Sequence, residues 1–500
     1  MKIYKIGLVM AMCAIVALTG CKKSYLDTKP SDQVPLSDAF KTTIGCKAAI
    51  QGMNRLMFSV GGDHDQFGEP SIMMMEDLMG NDMPMADRGS GWFVGTYTYT
   101  DHRNASATPG YTWGFYYRII SNANQLLDHV DAATGPQEDK DFIKGQALFY
   151  RAFSLYKLSL YYQFTYAGFH PTLATAVKNL KGVPVYTTAT QKGAPRGTLE
   201  QTYAQITKDL DDAIALLPNG ARVDKTDPDV SVAKGLYARV ALVMQNWPKA
   251  AQMASEARAS YGLMSREQLL SGFNDINNSE WMWGCSINAE QTGIYASFLS
   301  HMVVASNGYA YSAQKVGFKI LCDSLQKVDT GDVRKNWWYG PAGAPGFKRY
   351  SQKKFAIKKV GSWIDDKPFM RASEMALIEA EARIENNDIA GGKTVLENLI
   401  KIRNPYFVAK TTKEDLLRQI IFQRRIELWG EGFAFSDIKR YMAFTWLTDV
   451  EKGLQRTGGN HDPQIAQLMT LAAWSNTFLF RIPGGELNNN SALTGADQNP

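Results

Sequence analysis

Cys21 is the side chain best placed for covalent chemistry. It follows Leu18-Thr19-Gly20, and Lys2 and Lys5 precede an apolar run from Ile6 to Thr19. A basic start, an apolar stretch of roughly 7–15 residues and small residues before the cut describe a secretory signal. A cysteine directly after the small residue is the pattern of a lipobox, in which the thiol is acylated and the chain is cleaved before it. An ordinary signal peptide with a chance cysteine is the competing reading. The run falls short of the roughly 18 apolar residues that a membrane span requires. Residues 1–20 are therefore expected to leave and Cys21 to take lipid. Several acyl chains together anchor a protein stably where one holds only marginally.

The other side chains with chemical potential point away from catalysis. There is no His-Glu-x-x-His and no Cys-x-x-Cys pair to mark a zinc site. No P-loop, dinucleotide fingerprint or Gly-x-Ser-x-Gly elbow occurs. Asp63, Asp65 and Gly68 mimic the start of an EF-hand loop, but Phe67 and Met74 stand where oxygen ligands are needed. The adjacent acids Glu76 and Asp77 rarely flank one substrate bond as a glycosidase pair must. Met73, Met74 and Met75, with Met79, Met83 and Met85, suit packing better than copper. His64 and His301 read as surface or loop residues. Cys46, Cys285 and Cys322 remain after the signal and lipid positions, an odd set at distant places that favours buried free thiols over a disulfide scaffold. Neither metal nor cofactor is expected.

Composition narrows the class. The 500 residues are 45% hydrophobic and 21% charged, which is globular rather than disordered. Loss of Lys2 and Lys5 lowers the formal charge from +5 to +3, too little and too evenly spread for nucleic acid. Aromatic content is the unusual feature, with 11 Trp, 23 Tyr and 23 Phe. Trp92 and Trp113 sit early, while Trp281, Trp283, Trp337, Trp338 and Trp363 crowd into one region.

Helical signals supply the frame that must position these residues. Residues 21–35 hold two prolines and read as an extended tether. Ser37-Asp38 caps a first helix over 39–58. Residues 61–110 read as irregular. Helical spacing returns over 113–130 and 138–164. Thr198 and Gln201 match a capping box that opens a helix running to Pro218. Residues 230–260 resemble a tetratricopeptide unit, with small residues Ala250, Ala251, Ala254 and Ala257 on the second helix. Residues 369–403 resemble another. Between them, 261–368 is an irregular, aromatic-rich insert with short strand-like pieces and one helix near 313–325. Loops on a rigid helical body are where binding residues usually sit. Residues 412–430 form a last strong helix whose Arg418, Arg424 and Arg425 should pair with acids. The expected division is 1–20 signal, 21–35 tether, 36–260 N-terminal helical part, 261–368 insert and 369–500 C-terminal helical part with tail.

Several local stretches carry one resemblance. Cys21-Lys22-Lys23-Ser24-Tyr25-Leu26-Asp27, Trp113 with Tyr117, Ile119 and Asn124, and Lys144 through Arg151 and Ala152 are three of them. Arg371-x-x-Glu374 through Glu379-Ala380-Glu381-Ala382 is the most specific. Arg424-Arg425-x-Glu427-Leu428-x-x-Glu431-Gly432, then Asp437 and Arg440, is nearly so, and Ile482-Pro483 with Glu486 and Asn489 closes the set. Together they resemble the SusD/RagB family of outer-membrane lipoproteins over essentially the whole chain. The resemblance implies an all-α dominated fold, with tetratricopeptide-like helix pairs forming a right-handed body around a large loop and short-strand insert. It implies a non-catalytic, lipid-anchored outer-membrane protein that binds a nutrient, usually an oligosaccharide, and partners a SusC-like TonB-dependent transporter. The alternatives are RagB-like peptide capture and a tetratricopeptide-like interaction scaffold. Lys22 and Lys23 depart from the acidic residues that often follow the cysteine in surface-exported relatives.

A pyranose ring has an apolar C–H face that a flat aromatic side chain can cover. On that ground the candidate ligand-binding residues are Trp92, Tyr97, Trp281, Trp283, Trp337, Trp338 and Tyr339. Trp337-Trp338-Tyr339 follows a polar stretch, so at least one of the three should face outward. The insert is expected to supply most of the contact surface, helped by the Trp92 loop.

Overall fold

The structure is a computed structural model that describes residues 39–103, 107–288, 296–328, 331–360, 363–364 and 366–500. The signal, Cys21, the tether and the Ser37-Asp38 cap lie outside the described residues. The first helix whose bounds lie among the described residues, α1 (Thr43–Leu56), is capped by Thr42, whose hydroxyl accepts the Gly45 N–H at 3.2 Å. Next comes α2 (Glu69–Met79), inside the stretch read as irregular. Every residue of α2 is buried, so no polar face gives the run an amphipathic period. Its methionines pack in the core, as their spacing suggested.

A short α3 (Val94–Tyr97) leads to α4 (Ala107–His129) and α5 (Gln137–Tyr162). Two small antiparallel ribbons follow, β1 (Phe169–His170) with β2 (Thr175–Ala176) and β3 (Lys181–Pro184) with β4 (Arg196–Thr198). The helix α6 (Leu199–Leu216) opens on the expected capping box: the Thr198 hydroxyl accepts the Gln201 N–H at 3.1 Å and the Gln201 carboxamide accepts the Thr198 N–H at 2.9 Å. The pair α7 (Val230–Val243) and α8 (Trp247–Arg258) is the first tetratricopeptide-like unit.

In the insert, β5 (Trp281–Cys285), α9 (Phe298–Met302) and α10 (Lys319–Val328) precede β6 (Lys367–Arg371). Strands β5 and β6 pair antiparallel, Trp281 opposite Arg371 and Cys285 opposite Lys367, with a bulge between. That ribbon ties the insert to the body, because β6 runs directly into α11 (Ala372–Glu385). The helices α12 (Ile389–Arg403), α13 (Lys413–Glu427) and α14 (Ala434–Tyr441) complete the body.

Packing joins what the sequence separates. Helix α4 lies on α5, α5 on α6, α6 on α7, α7 on α8, α8 on α11 and α11 on α12. The two tetratricopeptide-like units, far apart in sequence, are thus direct neighbours through α8 and α11. Ala250, Ala254 and Ala257 of α8 are buried, and the Arg258 guanidinium crosses the seam to the Glu379 carboxylate at 2.6 Å. The thiols of Cys46, Cys285 and Cys322 are free and buried.

The motif residues that carry the family resemblance form buried ion pairs. Arg371 donates to Glu280 and, at 2.7 Å, to Glu431. Arg334 and Arg403 reach Glu427 at 3.0 and 2.8 Å. Arg239 grips Glu374 with two bonds of 2.7 Å, and Asp437 bridges Arg424 and Arg440 at 2.7 Å each. The acids expected opposite the α13 arginines are therefore present, but most come from distant segments rather than from one turn along the helix.

Candidate functional site

Five of the seven aromatic candidates are buried in the core, which corrects the expectation that they offer their faces to a ligand. Tyr97 bonds the His461 ring at 2.6 Å and lies under the Arg456 guanidinium. Trp281 and Trp283 stand on β5, whose five residues are all buried. Trp283 packs edge-on against Phe149, Phe153 and Phe369 at 5.0–5.3 Å and donates to the Thr226 carbonyl at 3.1 Å. Trp337 donates to the Leu269 carbonyl at 2.7 Å, with the Lys354 ammonium 4.5 Å above its ring. Trp338 packs edge-on against Trp429 at 5.5 Å. The third member of that triplet, Tyr339, is half-buried and stacks on Phe347 at 4.4 Å.

Trp92 remains at the surface, half-buried. Phe93 beside it has a left-handed backbone, φ 63°, which is rare for a bulky residue. The turn sends Phe93 into the core and leaves Trp92 outside. Trp92 stacks on the His64 ring at 5.2 Å with 13° between planes and meets Tyr309 edge-on at 6.4 Å. The His64 Nδ1 and the Tyr309 hydroxyl are hydrogen-bonded. Tyr309 in turn stacks on His301 at 4.4 Å. His301 is buried, not a surface residue, and its Nε2 donates to the His64 carbonyl at 2.9 Å. Burial, then the neighbouring Lys315, hold its imidazole well below the usual range, so it stays neutral and fixed.

Four loops meet around this cluster. The Ala86 N–H bonds the Gln314 carbonyl at 3.0 Å, and Gly89, φ 50°, lies so close to Ala313 that a Cβ there would sit 2.7 Å from it. The Gln314 carboxamide reaches Gly346 and Lys348 at 2.9 Å each, and Lys348 pairs with Asp87 at 3.3 Å. The segments 61–66, 86–92, 309–312 and 340–349 therefore share one surface. Tyr311 stands on it 72% exposed. Asp63 and Arg88 are exposed beside it, and Asp65 is half-buried. Burial, with help from Asp63 and Asp101, pushes the Asp65 carboxyl up to about 6. Aromatic faces bordered by hydroxyl, carboxylate and guanidinium groups can cover an apolar ring face while pairing with its polar edge. Sequence reasoning found Trp92 but missed His64, Tyr309 and Tyr311; the Tyr309-Ala310-Tyr311 spacing beside Gly308 was the available signal.

Residues 24–242 match a SusD-like family described as starch-binding and associating with the outer membrane, and residues 310–500 match the SusD family. The chain belongs to the SusD/RagB family. A SusD-like carbohydrate binding protein from Bacteroides vulgatus has the same fold, with TM-score 0.78, 25% identity, and coverage of 92% of this chain and 98% of that one. A SusD superfamily protein from Bacteroides thetaiotaomicron, at 21% identity, shares the fold with TM-score 0.74 over 92% of this chain and all of its own, 100%. SusD-like protein P2 of Formosa agariphila is 25% identical over 258 residues, 51% of this chain and 46% of that protein, so the match spans about half of the curated relative. The SusD-like family is associated with the outer membrane, and no helix among the described residues is long and apolar enough to cross a membrane.

Proposed function

We propose that the protein is a non-catalytic outer-membrane lipoprotein. On this reading it binds an oligosaccharide on the Trp92–His64–Tyr311 surface, which the buried Tyr309 backs, and passes it to a SusC-like TonB-dependent transporter. The observation that carries the reading is the aromatic surface itself: Trp92, His64 and Tyr311 from three loops, Tyr311 largely exposed, backed by the buried Tyr309 and bordered by Asp63, Asp65 and Arg88. Family membership supports the nutrient class, and the starch-binding description of the matching family supports a glycan. Tyr339 on the adjoining loop is the remaining sequence-derived candidate that can extend this surface.

Calorimetric titration of the mature protein with starch, laminarin, xylan and mannan oligosaccharides identifies the ligand class. Hot-spot aromatics cost about 2 kcal/mol when truncated, or roughly 30-fold in affinity. Trp92→Ala and Tyr311→Ala should each weaken binding by about that factor, and Tyr311→Ala should leave the melting temperature unchanged. Full affinity in both variants would remove this surface from the function.

A further inference from the structure

The tail carries a second built cleft. It has a volume of about 590 Å³ and lies between the 169–176 hairpin and the turn at Trp474, with Phe164, His170, Leu173, Leu180 and Leu479 on its apolar walls. Ligand pockets typically run about 300–1,000 Å³. None of its lining residues belongs to the Trp92 surface.

Trp474 sits in this cleft under constraint. Its backbone is left-handed, φ 60°, a conformation that costs free energy for a bulky side chain and persists only where the surroundings impose it. Its N–H donates to the Met442 sulfur at 3.3 Å. Gly168, φ 107°, lies against the ring edge, where a Cβ would stand 3.0 Å from Cη2 and 3.1 Å from Ala443 Cβ. The Phe164 and His170 rings stand 6.1 and 5.7 Å from it. His170 is set in turn by the hairpin, its Nδ1 accepting the Leu173 N–H at 3.2 Å. Trp474 is therefore held half-buried by contacts from two segments, 164–170 against its ring and Met442 against its backbone.

The polar groups of the cleft suit hydroxyls better than an ion. The Ser475 hydroxyl, next to Trp474, is buried without a hydrogen-bond partner. Lys181 is paired with Asp497 at 2.7 Å. The Arg196 donors go to the Gly182 and Asp497 carbonyls at 2.7 and 2.5 Å and to Asn499 at 3.0 Å. Thr172, Asn476 and Gln498 stand at the rim. With both cations engaged, what remains is an indole, an aliphatic wall and neutral polar groups.

We propose that this cleft is a second carbohydrate-binding site, taking a neutral pyranose with its C–H face on Trp474 and a hydroxyl on Ser475. The ligand class rests on the reading of the preceding section; the site does not. The full-length protein labelled with 5-fluorotryptophan separates the two. The Trp92 and Trp474 resonances are assigned by their loss in Trp92→Phe and Trp474→Phe spectra, then followed during titration with methyl glucoside, mannoside, galactoside and xyloside and with cyclohexanol. At least one pyranoside should shift the Trp474 resonance saturably, should still do so in Trp92→Ala, and should act at lower concentration than cyclohexanol. A Trp474 signal unmoved by every pyranoside, or moved as well by cyclohexanol, overturns the assignment. Movement of Trp92 alone overturns it while leaving the first site standing; movement of Trp474 alone supports it and removes the first site.

Discussion

Lys315 is a cation in an apolar place, and it shows how one residue can set a pH dependence for the fold. It is buried, its ammonium donates to the Ala313 carbonyl at 3.0 Å, and burial pushes it down to about 7. In the unfolded chain a lysine keeps its proton up to about 10.4. Between those values the unfolded state binds more protons, so stability attributable to this site rises with pH. Below about 7 both states hold the proton and the full cost of burying the charge remains. Lys315→Met should therefore raise the melting temperature most near pH about 6, and the gain should shrink toward pH about 9.5. Paired thermal melts of the two proteins measure it; a gain independent of pH would mean that packing, not charge burial, decides the effect. The tryptophans teach a related lesson. Trp92 and Trp337 both follow polar, glycine-containing stretches, and nothing local distinguishes them. Trp337 is core because Leu269 and Lys354, both distant in sequence, close over it. Trp92 is surface because the left-handed turn at Phe93 diverts the chain.

At the scale of elements, legibility followed amphipathicity. Helices α4, α6 and the α7–α8 pair each bury one stripe or carry a recognisable cap, and their spacing reveals them, whereas α5, buried at every residue from 145 to 162, shows a polar face only in its first turns. Helix α2 is buried all round and reveals nothing. Helix α13 shows both the reach and the limit of pattern reading. Its charges announce ion pairs, yet the partners of Glu427 are Arg334, Arg371 and Arg403, from three other segments. Burial alone would raise the Glu427 carboxyl, but those guanidiniums outweigh it and hold it well below the usual range. Removing one partner from a buried pair leaves the others uncompensated, at about 3–5 kcal/mol. Glu427→Gln should lose that much in urea unfolding, because three buried guanidiniums lose their shared carboxylate and are left with only Asp332, Glu280 and Glu431 among them. A loss below about 1 kcal/mol would mean that the cluster is solvated like a surface pair. The same cluster joins β6, α12 and α13 to the Arg334 segment of the insert, so it fixes the platform on which the loops of the Trp92 surface stand.

For the whole molecule the question is attachment and traffic. The helical body is continuous from α4 through α12, and the Trp92 surface is assembled from the 61–66 and 86–92 loops with two loops of the insert. On the proposed reading, a rigid body with the loops of the Trp92 surface gathered on one side suits a lid over a porin, held at the membrane by lipid on Cys21. Several acyl chains hold a protein stably at a bilayer, and none holds it by this route. Cys21→Ala should therefore appear in soluble fractions, and mass spectrometry of the wild-type N-terminus should find acyl groups on Cys21. Mild detergent extraction of the wild type should recover a TonB-dependent transporter in near-equal amounts, and the Cys21→Ala protein should recover far less, because tethering raises the effective concentration of the lid at its partner. Wild-type protein that carries no acyl chain would remove the anchor. Acylated protein recovered repeatedly alone, under conditions that keep other outer-membrane complexes intact, would keep the anchor but make it a free-standing binder.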